Sequence, residues 1–447
     1  MTNHPKANSA SSARSLSARQ SLLVGVTLFS MFFGAGNLIL PPLLGLQAGA
    51  EAVPAMAGFL IAGIGLPVLG IVAVALSGTI RQLADRVHPL FSTVFVGAVY
   101  LAIGPCLAIP RTSSTSFEML VPLLPQGVDV GVARVAFSVA FFVVAYLLAM
   151  HPGQLTKLLG KVTGPALVAL IVVVSASAIV APTGSAFAVQ APYDGAPLAE
   201  GFLTGYQTMD LLASLTFGIV IAENIRAFGV SDDAGLAREI SKAGVFMGVL
   251  MGLVYCGFAY VGVTMGSVIP TATNGAEILT ASATAHFGLA GTVVVAAIFL
   301  LACLNVCVGL ISCCGTYFSE QVPRVPYRWM ALGFAAFSGV VSNFGLDTIL
   351  AFSVPLLSAL YPVAIVLVAM GIARGALVTR PRVWSCVVVP VAVVSVCEAV
   401  RTAVAAGVWL PSDALPLAGF GLSWVVPAAC GLLVGICWSA VAARTTR

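Results

Sequence analysis

Charge is what this sequence lacks. Only 8% of its 447 residues are Asp, Glu, Lys or Arg, while 60% are hydrophobic; soluble domains carry about 25% charged residues. No soluble fold can hide so much apolar surface, so the chain is read as a polytopic membrane protein. Histidine is scarce, at 4 residues, and none of the 10 cysteines pairs with one at zinc-ligand spacing. Most of those thiols, Cys303, Cys307, Cys313, Cys314, Cys386, Cys397, Cys430 and Cys437 among them, sit in apolar runs and read as small packing residues. Neither a disulfide nor a metal–thiolate site is expected. A phosphate-binding loop with a lysine is missing too, which excludes transport driven directly by ATP within this chain. The net charge of +4 is dispersed along the sequence and points to no nucleic acid.

What is present is a succession of apolar runs of helix-spanning length. Twelve spans are expected, at about 21–47, 53–77, 91–110 (continuing to 120), 132–150, 160–181, 202–225, 243–266, 289–315, 328–344, 349–373, 383–407 and 419–441. Residues 1–20 are polar and precede an apolar stretch longer than a signal h-region of roughly 7–15 residues. They read as an uncleaved, disordered cytoplasmic tail, with 442–447 as a cytoplasmic C-terminus and 21–441 as one transmembrane domain. The 267–288 loop reads as a short surface helix on the outer side. Basic residues test the count. With the N-terminus inside, all of the 20 except Arg111, Arg134 and Arg401 fall in cytoplasmic segments, as the positive-inside rule requires.

The first span holds Phe32-Phe33-Gly34-Ala35-Gly36-Asn37, followed by Pro41-Pro42. Glycines weaken a helix and the proline pair lacks two donors. A helix broken in the membrane persists only where it is buried in protein or lines a cavity; glycine packing between helices is the blander reading. A break at Gly34-Ala35-Gly36 would start a half-helix at Ala35–Leu38. Its free N–H groups suit a carboxylate, and the carbonyls of Ser30 to Phe33 before it suit a cation or an ammonium group.

A faint echo lies five helices on. Phe217-Gly218 matches Phe33-Gly34, in a span reading Asp210-Leu211-Leu212-Ala213-Ser214-Leu215-Thr216-Phe217-Gly218. Five is odd, so two five-helix halves would be inverted, and interrupted helices at matching positions mark a transporter's central site. Ser214 and Thr216 can turn back onto nearby carbonyls and loosen this helix, placing a second break at Ser214–Gly218. Intramembrane charges are costly. Asp210 is a candidate gating or coupling residue, and Arg111 with Glu118, seven residues apart, a candidate outer gate pair. Glu223 with Arg226 and Glu398 with Arg401 read as structural i,i+3 pairs. Asn305, in an apolar stretch, is either glue between helices or an oxygen ligand for Na⁺.

These motifs resemble those of the bacterial branched-chain amino acid:cation symporters (system II carriers) of the APC superfamily. The likeness rests on Phe32–Ile39 with Pro41-Pro42, Leu44–Gly49, Ile109–Thr112 with Ser116–Glu118, Gly205–Asp210, Phe217–Val220, Ser342–Asp347, Ser353-Val354-Pro355 and Tyr361-Pro362. It implies uptake of leucine, isoleucine and valine with a cation, usually Na⁺. The family is in turn similar to the leucine-transporter-type fold. That fold implies an all-α protein of five plus five inverted helices with helices one and six broken, repeat one at about 21–181, repeat two at about 202–373 and two extra helices at about 383–441. Carried over by position, the Ala35 and Gly36 amides would hold the substrate carboxylate, with Gly34 also at the substrate and Asn37 near substrate or cation. Ala213, Ser214, Thr216, Phe217 and Gly218 would line the substrate. Ser30 and Phe33 carbonyls with Ala302 would face a cation. Two adjacent hydroxyl residues of that pattern are replaced by Asn305 and Val306, so an Asn305 oxygen, a shifted ligand or a proton takes their place.

The resulting expectation is a secondary active symporter of the bacterial inner membrane. It has no enzymatic activity and no cofactor beyond Na⁺ or H⁺ as coupling ion; its partners are an amino acid substrate, that cation and the bilayer. The alternatives are a carrier of another neutral amino acid, a cation-independent exchanger, a channel, or a membrane-embedded enzyme.

Overall fold

The computed structural model describes residues 15–150, 168–169, 172–230, 232–373, 381–404 and 407–445. The expected tail up to residue 14, positions 160–167 of the fifth span, and the side chain of Glu223 lie outside the described residues.

Every regular element among the described residues is helical, and seven helices there are long and apolar enough to cross a membrane. The first, α1 (Ala18–Phe32), begins inside the polar tail because Ser17 and Gln20 form a reciprocal capping box. It stops at Phe33-Gly34, and α2 (Ala35–Ala48) carries the chain on. Next come α3 (Ala52–Leu60) and α4 (Leu66–Ser77), joined by a π-helical turn at Ile61–Gly65, and the short α5 (Ile80–Ala84). The third span joins α6 (Pro89–Leu101) to α7 (Ala108–Leu120) across a kink at Ala102–Cys106, where Gly104 leaves helical geometry (φ −94°, ψ −124°). Pro105 next to it has no N–H for the Leu101 carbonyl, and this is where the ladder is interrupted.

Beyond α8 (Val130–Ala149) and the helical residues 172–180 come α9 (Pro197–Tyr206) and α10 (Asp210–Ala227). The chain ends with α11 (Asp233–Met265), α12 (Gly275–Gln321, bent at Gly288), α13 (Tyr327–Ser342), α14 (Leu346–Ile372), α15 (Pro381–Val404) and α16 (Val425–Thr445).

Solvation is inverted relative to a soluble bundle. On α8 the valines 132, 135, 139 and 143 stand exposed, and on α11 Val249 and Leu253 do too, because hydrocarbon and not water faces them. The interior holds the broken helices. Packed against α2 are α11 and α12, while α3 packs on α9, α4 on α10 and α7 on α12. The α3–α9 crossing depends on small residues: a methyl at Gly58 would strike the Leu198 carbonyl, and one at Gly201 the Ala55 carbonyl.

Two local expectations change. The segment beginning at Gly275 is no surface helix. Ala276, Ile278, Leu279 and Ala283 are buried, and Gly275 lies against the Ile39 carbonyl of α2. Arg401 and Glu398 do not pair with each other either. The 411–423 segment folds back, so Arg401 reaches Asp413 at 2.5 Å and Glu398 accepts a hydrogen bond from Ser423 at 2.5 Å.

Candidate functional site

The α1–α2 break is made by two extended residues, Phe33 (φ −74°, ψ 90°) and Gly34 (φ −120°, ψ −167°). Breaking a helix leaves carbonyls on one side and N–H groups on the other without partners. Asn37 repairs part of this. Its Nδ2 donates to the Phe32 carbonyl at 3.0 Å, closing the frayed end of α1. Pro41 and Pro42, one turn on, have no N–H to give to the carbonyls of Asn37 and Leu38.

The second break lies at Gln207-Thr208-Met209, between α9 and α10, not at Ser214–Gly218. Met209 adopts left-handed geometry (φ 65°) without being glycine, a conformation that costs energy unless its surroundings impose it. Thr208 supports the turn by donating to the Gly205 carbonyl at 2.9 Å and accepting from the Asp210 amide at 3.3 Å. The Ser214 and Thr216 hydroxyls do turn back, onto Leu211 (2.6 Å) and Ala213 (2.9 Å) carbonyls, yet α10 runs on unbroken because those carbonyls keep their place in the helix.

The two breaks meet. Asn37 Nδ2 also donates to Asp210 Oδ2 at 2.9 Å, and the Tyr255 hydroxyl approaches the same oxygen at 3.5 Å. Asp210 is 3% exposed. From the middle of the third span, Arg111 reaches the end of α9. It donates to the carbonyls of Gln207 (2.6 Å) and Thr208 (3.4 Å), where the helix dipole is negative. Arg111 is also 3% exposed. Its guanidinium lies against Gly36, where a methyl would stand 2.5 Å from Nη2.

Between these groups is a cavity of about 40 Å³, room for roughly three waters. Gly34, Ala35, Gly36 and Asn37 line it with Arg111, Thr208 and Asp210. Met31, Phe32, Ile103, Phe217, Val306 and Leu310 supply an apolar wall, and the Phe32 and Phe217 rings meet edge to face at 6.5 Å. The lining thus combines charged and polar groups with hydrocarbon. An apolar zwitterion needs both.

Of the residues expected at the substrate, Gly34, Ala35, Gly36, Asn37, Ala213 and Phe217 line this cavity; Ser214, Thr216 and Gly218 are not among its lining residues. Ser214 packs against Gly70, and Gly218 against Val74, on α4. The Arg111–Glu118 pair is not formed. Glu118 meets Arg134 of α8 at 3.5 Å, because Arg111, in the first turn of α7 after the kink at Gly104, turns inward. Asp210 is held at the cavity, away from Glu118. Among the residues expected at a cation, Ala302 is buried, and the Asn305 side-chain oxygen is buried without a hydrogen-bond partner. Ser30 and Phe33 lie on the α1 side of the break. Sequence reasoning missed Thr208 and Tyr255. The Gly205–Asp210 motif carried the only signal for the former, and a lone tyrosine in an apolar run gave none for the latter.

The family described as "branched-chain amino acid transport protein" matches residues 17–442. The chain is 39% identical over 427 residues to the branched-chain amino acid permease BraB of Bacillus subtilis, covering 94% of this chain and 96% of that one. It is 40% identical over 418 residues to the branched-chain amino acid transport system 2 carrier protein of Pseudomonas aeruginosa, covering 93% and 95%. With the branched-chain amino acid permease BrnQ of Escherichia coli it shares 35% over 435 residues, covering 96% and 98%. Among solved structures, Mhp1, a nucleobase-cation-symport-1 family transporter, superposes in a closed conformation with a TM-score of 0.60 at 14% identity, covering 94% of this chain and 93% of that chain. Its inward-facing conformation gives a TM-score of 0.59 at 13% identity, covering 97% and 96%. That likeness concerns the fold alone.

Proposed function

The chain belongs to the branched-chain amino acid transport protein family, and from that premise we propose that it imports leucine, isoleucine and valine across the bacterial cytoplasmic membrane by cation symport. Its relatives are permeases, so it is a multi-pass membrane transporter and not an enzyme. The observation that carries the substrate reading is the meeting of two broken helices at one cavity, polar at Asn37 and Asp210 and apolar at Phe32 and Phe217. Unpaired helix ends serve an amino acid's charged groups without a large reorganisation, and the apolar wall takes its branched side chain.

In this reading the chain has twelve spans, with both termini cytoplasmic and α1–α2 and α9–α10 as the broken first and sixth spans of two inverted five-span halves. A cavity of about 40 Å³ is too small for an amino acid, so binding requires the broken helices to separate from the α7 and α12 side. The co-transported cation is Na⁺, near the Ser30 and Phe33 carbonyls, Ala302 and Asn305. The orphaned Asn305 oxygen supports this assignment, since a buried carbonyl-type oxygen without a donor suits a hard cation. A proton is the second reading, and a different observation favours it: Asp210 is a buried carboxylate on the cavity wall itself.

The test is uptake of labelled leucine into proteoliposomes under separately imposed Na⁺ and H⁺ gradients. Accumulation driven by Na⁺ and lost in Asn305→Leu supports the sodium reading. Accumulation driven by H⁺ and lost in Asp210→Asn supports the proton reading. Uptake indifferent to both gradients sinks symport, and failure to take up any branched-chain amino acid sinks the substrate class.

A further inference from the structure

The symport reading leaves one cavity group without a role. Arg111 is a buried cation whose partners are carbonyls of Gln207 and Thr208 rather than a carboxylate. Those bonds occupy Nη1 and Nη2. Its Nε–H remains buried with no partner, although a guanidinium is a five-donor fork matched to carboxylate geometry. The Nε of a cavity-lining arginine is therefore a donor awaiting an acceptor.

The position of this donor is specific. The guanidinium rests on Gly36, at the N-terminal turn of α2, so the early amides of that helix and the arginine share one side of the cavity. An oxyanion placed there meets a full positive charge together with the positive end of a helix dipole. Asp210 stands near enough for its charge to act on Arg111, but its hydrogen-bonded oxygen, Oδ2, is turned to Asn37 and Tyr255, which leaves the Arg111 Nε–H without a carboxylate partner from the protein.

We propose that Arg111 is the receptor for the substrate's α-carboxylate, with Nε–H and the first amides of α2 each taking one carboxylate oxygen. This rests on the reading of the cavity as an amino acid site, and it adds a side-chain cation to a role that the first-span pattern gives to Ala35 and Gly36 amides alone. Its consequence is selectivity for the free carboxylate: an amide or alcohol in that place brings no charge to match the guanidinium.

Purified full-length protein provides the test, through competition against labelled leucine, and direct binding, by leucine and by leucinamide, which keeps the side chain and amine but lacks the carboxylate. Wild type should favour leucine by about tenfold to a hundredfold, the range for a charge-assisted hydrogen bond. In Arg111→Gln the two ligands should converge, through loss of leucine affinity with leucinamide binding unchanged, and Arg111→Lys should restore part of the preference. Retained leucinamide binding shows that the site is still folded. A parallel loss of both ligands, or an unchanged ratio, overturns the assignment and leaves Arg111 as a prop for the end of α9. Wild type that binds leucinamide as well as leucine also overturns it. Wild type that binds neither overturns the amino acid site itself.

Discussion

Asn37 and Asp210 lie 173 residues apart in sequence and 2.9 Å apart in space, and through them two interrupted helices are held as one unit. The same Asn37 amide also closes the Phe32 carbonyl. Asn37→Ala therefore strands a buried carbonyl and removes a donor from a buried carboxylate, each costing about 1–3 kcal/mol. We expect leucine uptake to fall by tenfold or more with the protein still inserted. A double-mutant cycle with Asp210→Asn checks the link: coupling of about 1 kcal/mol or more is expected, and strict additivity would remove it.

Gly36 and Gly34 should respond differently although both line the cavity. A methyl at Gly36 would stand 2.5 Å from Nη2 of Arg111, whereas at Gly34 the nearest atom is Val306 Cγ1 at 3.4 Å, an ordinary contact. The guanidinium cannot simply withdraw, because the carbonyls of Gln207 and Thr208 hold it. Gly36→Ala should thus cut uptake by about tenfold, following the general cost of misplacing a positioned group, and Gly34→Ala by much less. Uptake and surface abundance measured for both variants decide this; equal losses would count against the Gly36–Arg111 contact as the cause.

How legible this was from sequence depended on the residue types at each break. The first break is written in Gly34, Gly36, Pro41 and Pro42, all residues that disfavour helix for local reasons. The second is not. Gln207, Thr208 and Met209 include neither glycine nor proline, and the left-handed Met209 is imposed by what packs around it. Ser214 and Thr216 looked disruptive but only bond their own helix. Arg111 read as an outer gate because Glu118, seven residues on, falls on the same helix face. The kink at Gly104 does not end the third span, which resumes as α7 and runs on to Leu123, so Arg111 lies well inside it and turns to the cavity.

Glu118 and Arg134 form an ion pair at 3.5 Å with side chains 23% and 27% exposed. Partly solvated pairs are worth at most about 1 kcal/mol. Glu118→Gln should leave uptake within about twofold of wild type, in contrast to Arg111→Gln. The exchange Glu118→Arg with Arg134→Glu should recover most of whatever the single changes lose. A Glu118→Gln variant as inactive as Arg111→Gln would return Glu118 to a gating role.

Outside the membrane spans, Asp413 is held below the usual carboxylate range, first by the Leu410 amide and then by Arg401. A folded-state pKa below the unfolded one makes a contribution that is present above the unfolded value, about 3.9, and lost as pH falls through the folded one. The 410–413 turn should therefore loosen only in strong acid. Thermal unfolding of wild type and Asp413→Asn should differ at neutral pH and converge as the pH drops below the ordinary carboxylate range. A difference that persists undiminished there would mean that charge is not what holds the turn.

Ala213 faces the cavity one turn before Phe217 on α10, so its methyl helps set how long a side chain the apolar end accepts. Enlarging it removes space where a substrate's terminal methyls would go without touching Asn37, Asp210 or Arg111. Ala213→Val should then penalise leucine and isoleucine more than valine, by about 1–3 kcal/mol for the methylene that no longer fits. Competition of the three amino acids against labelled leucine reads the ratio directly. A uniform loss across all three would place the side chain elsewhere in the cavity, toward Ile103 and Leu310, and substitutions at those two residues would then shift the preference instead.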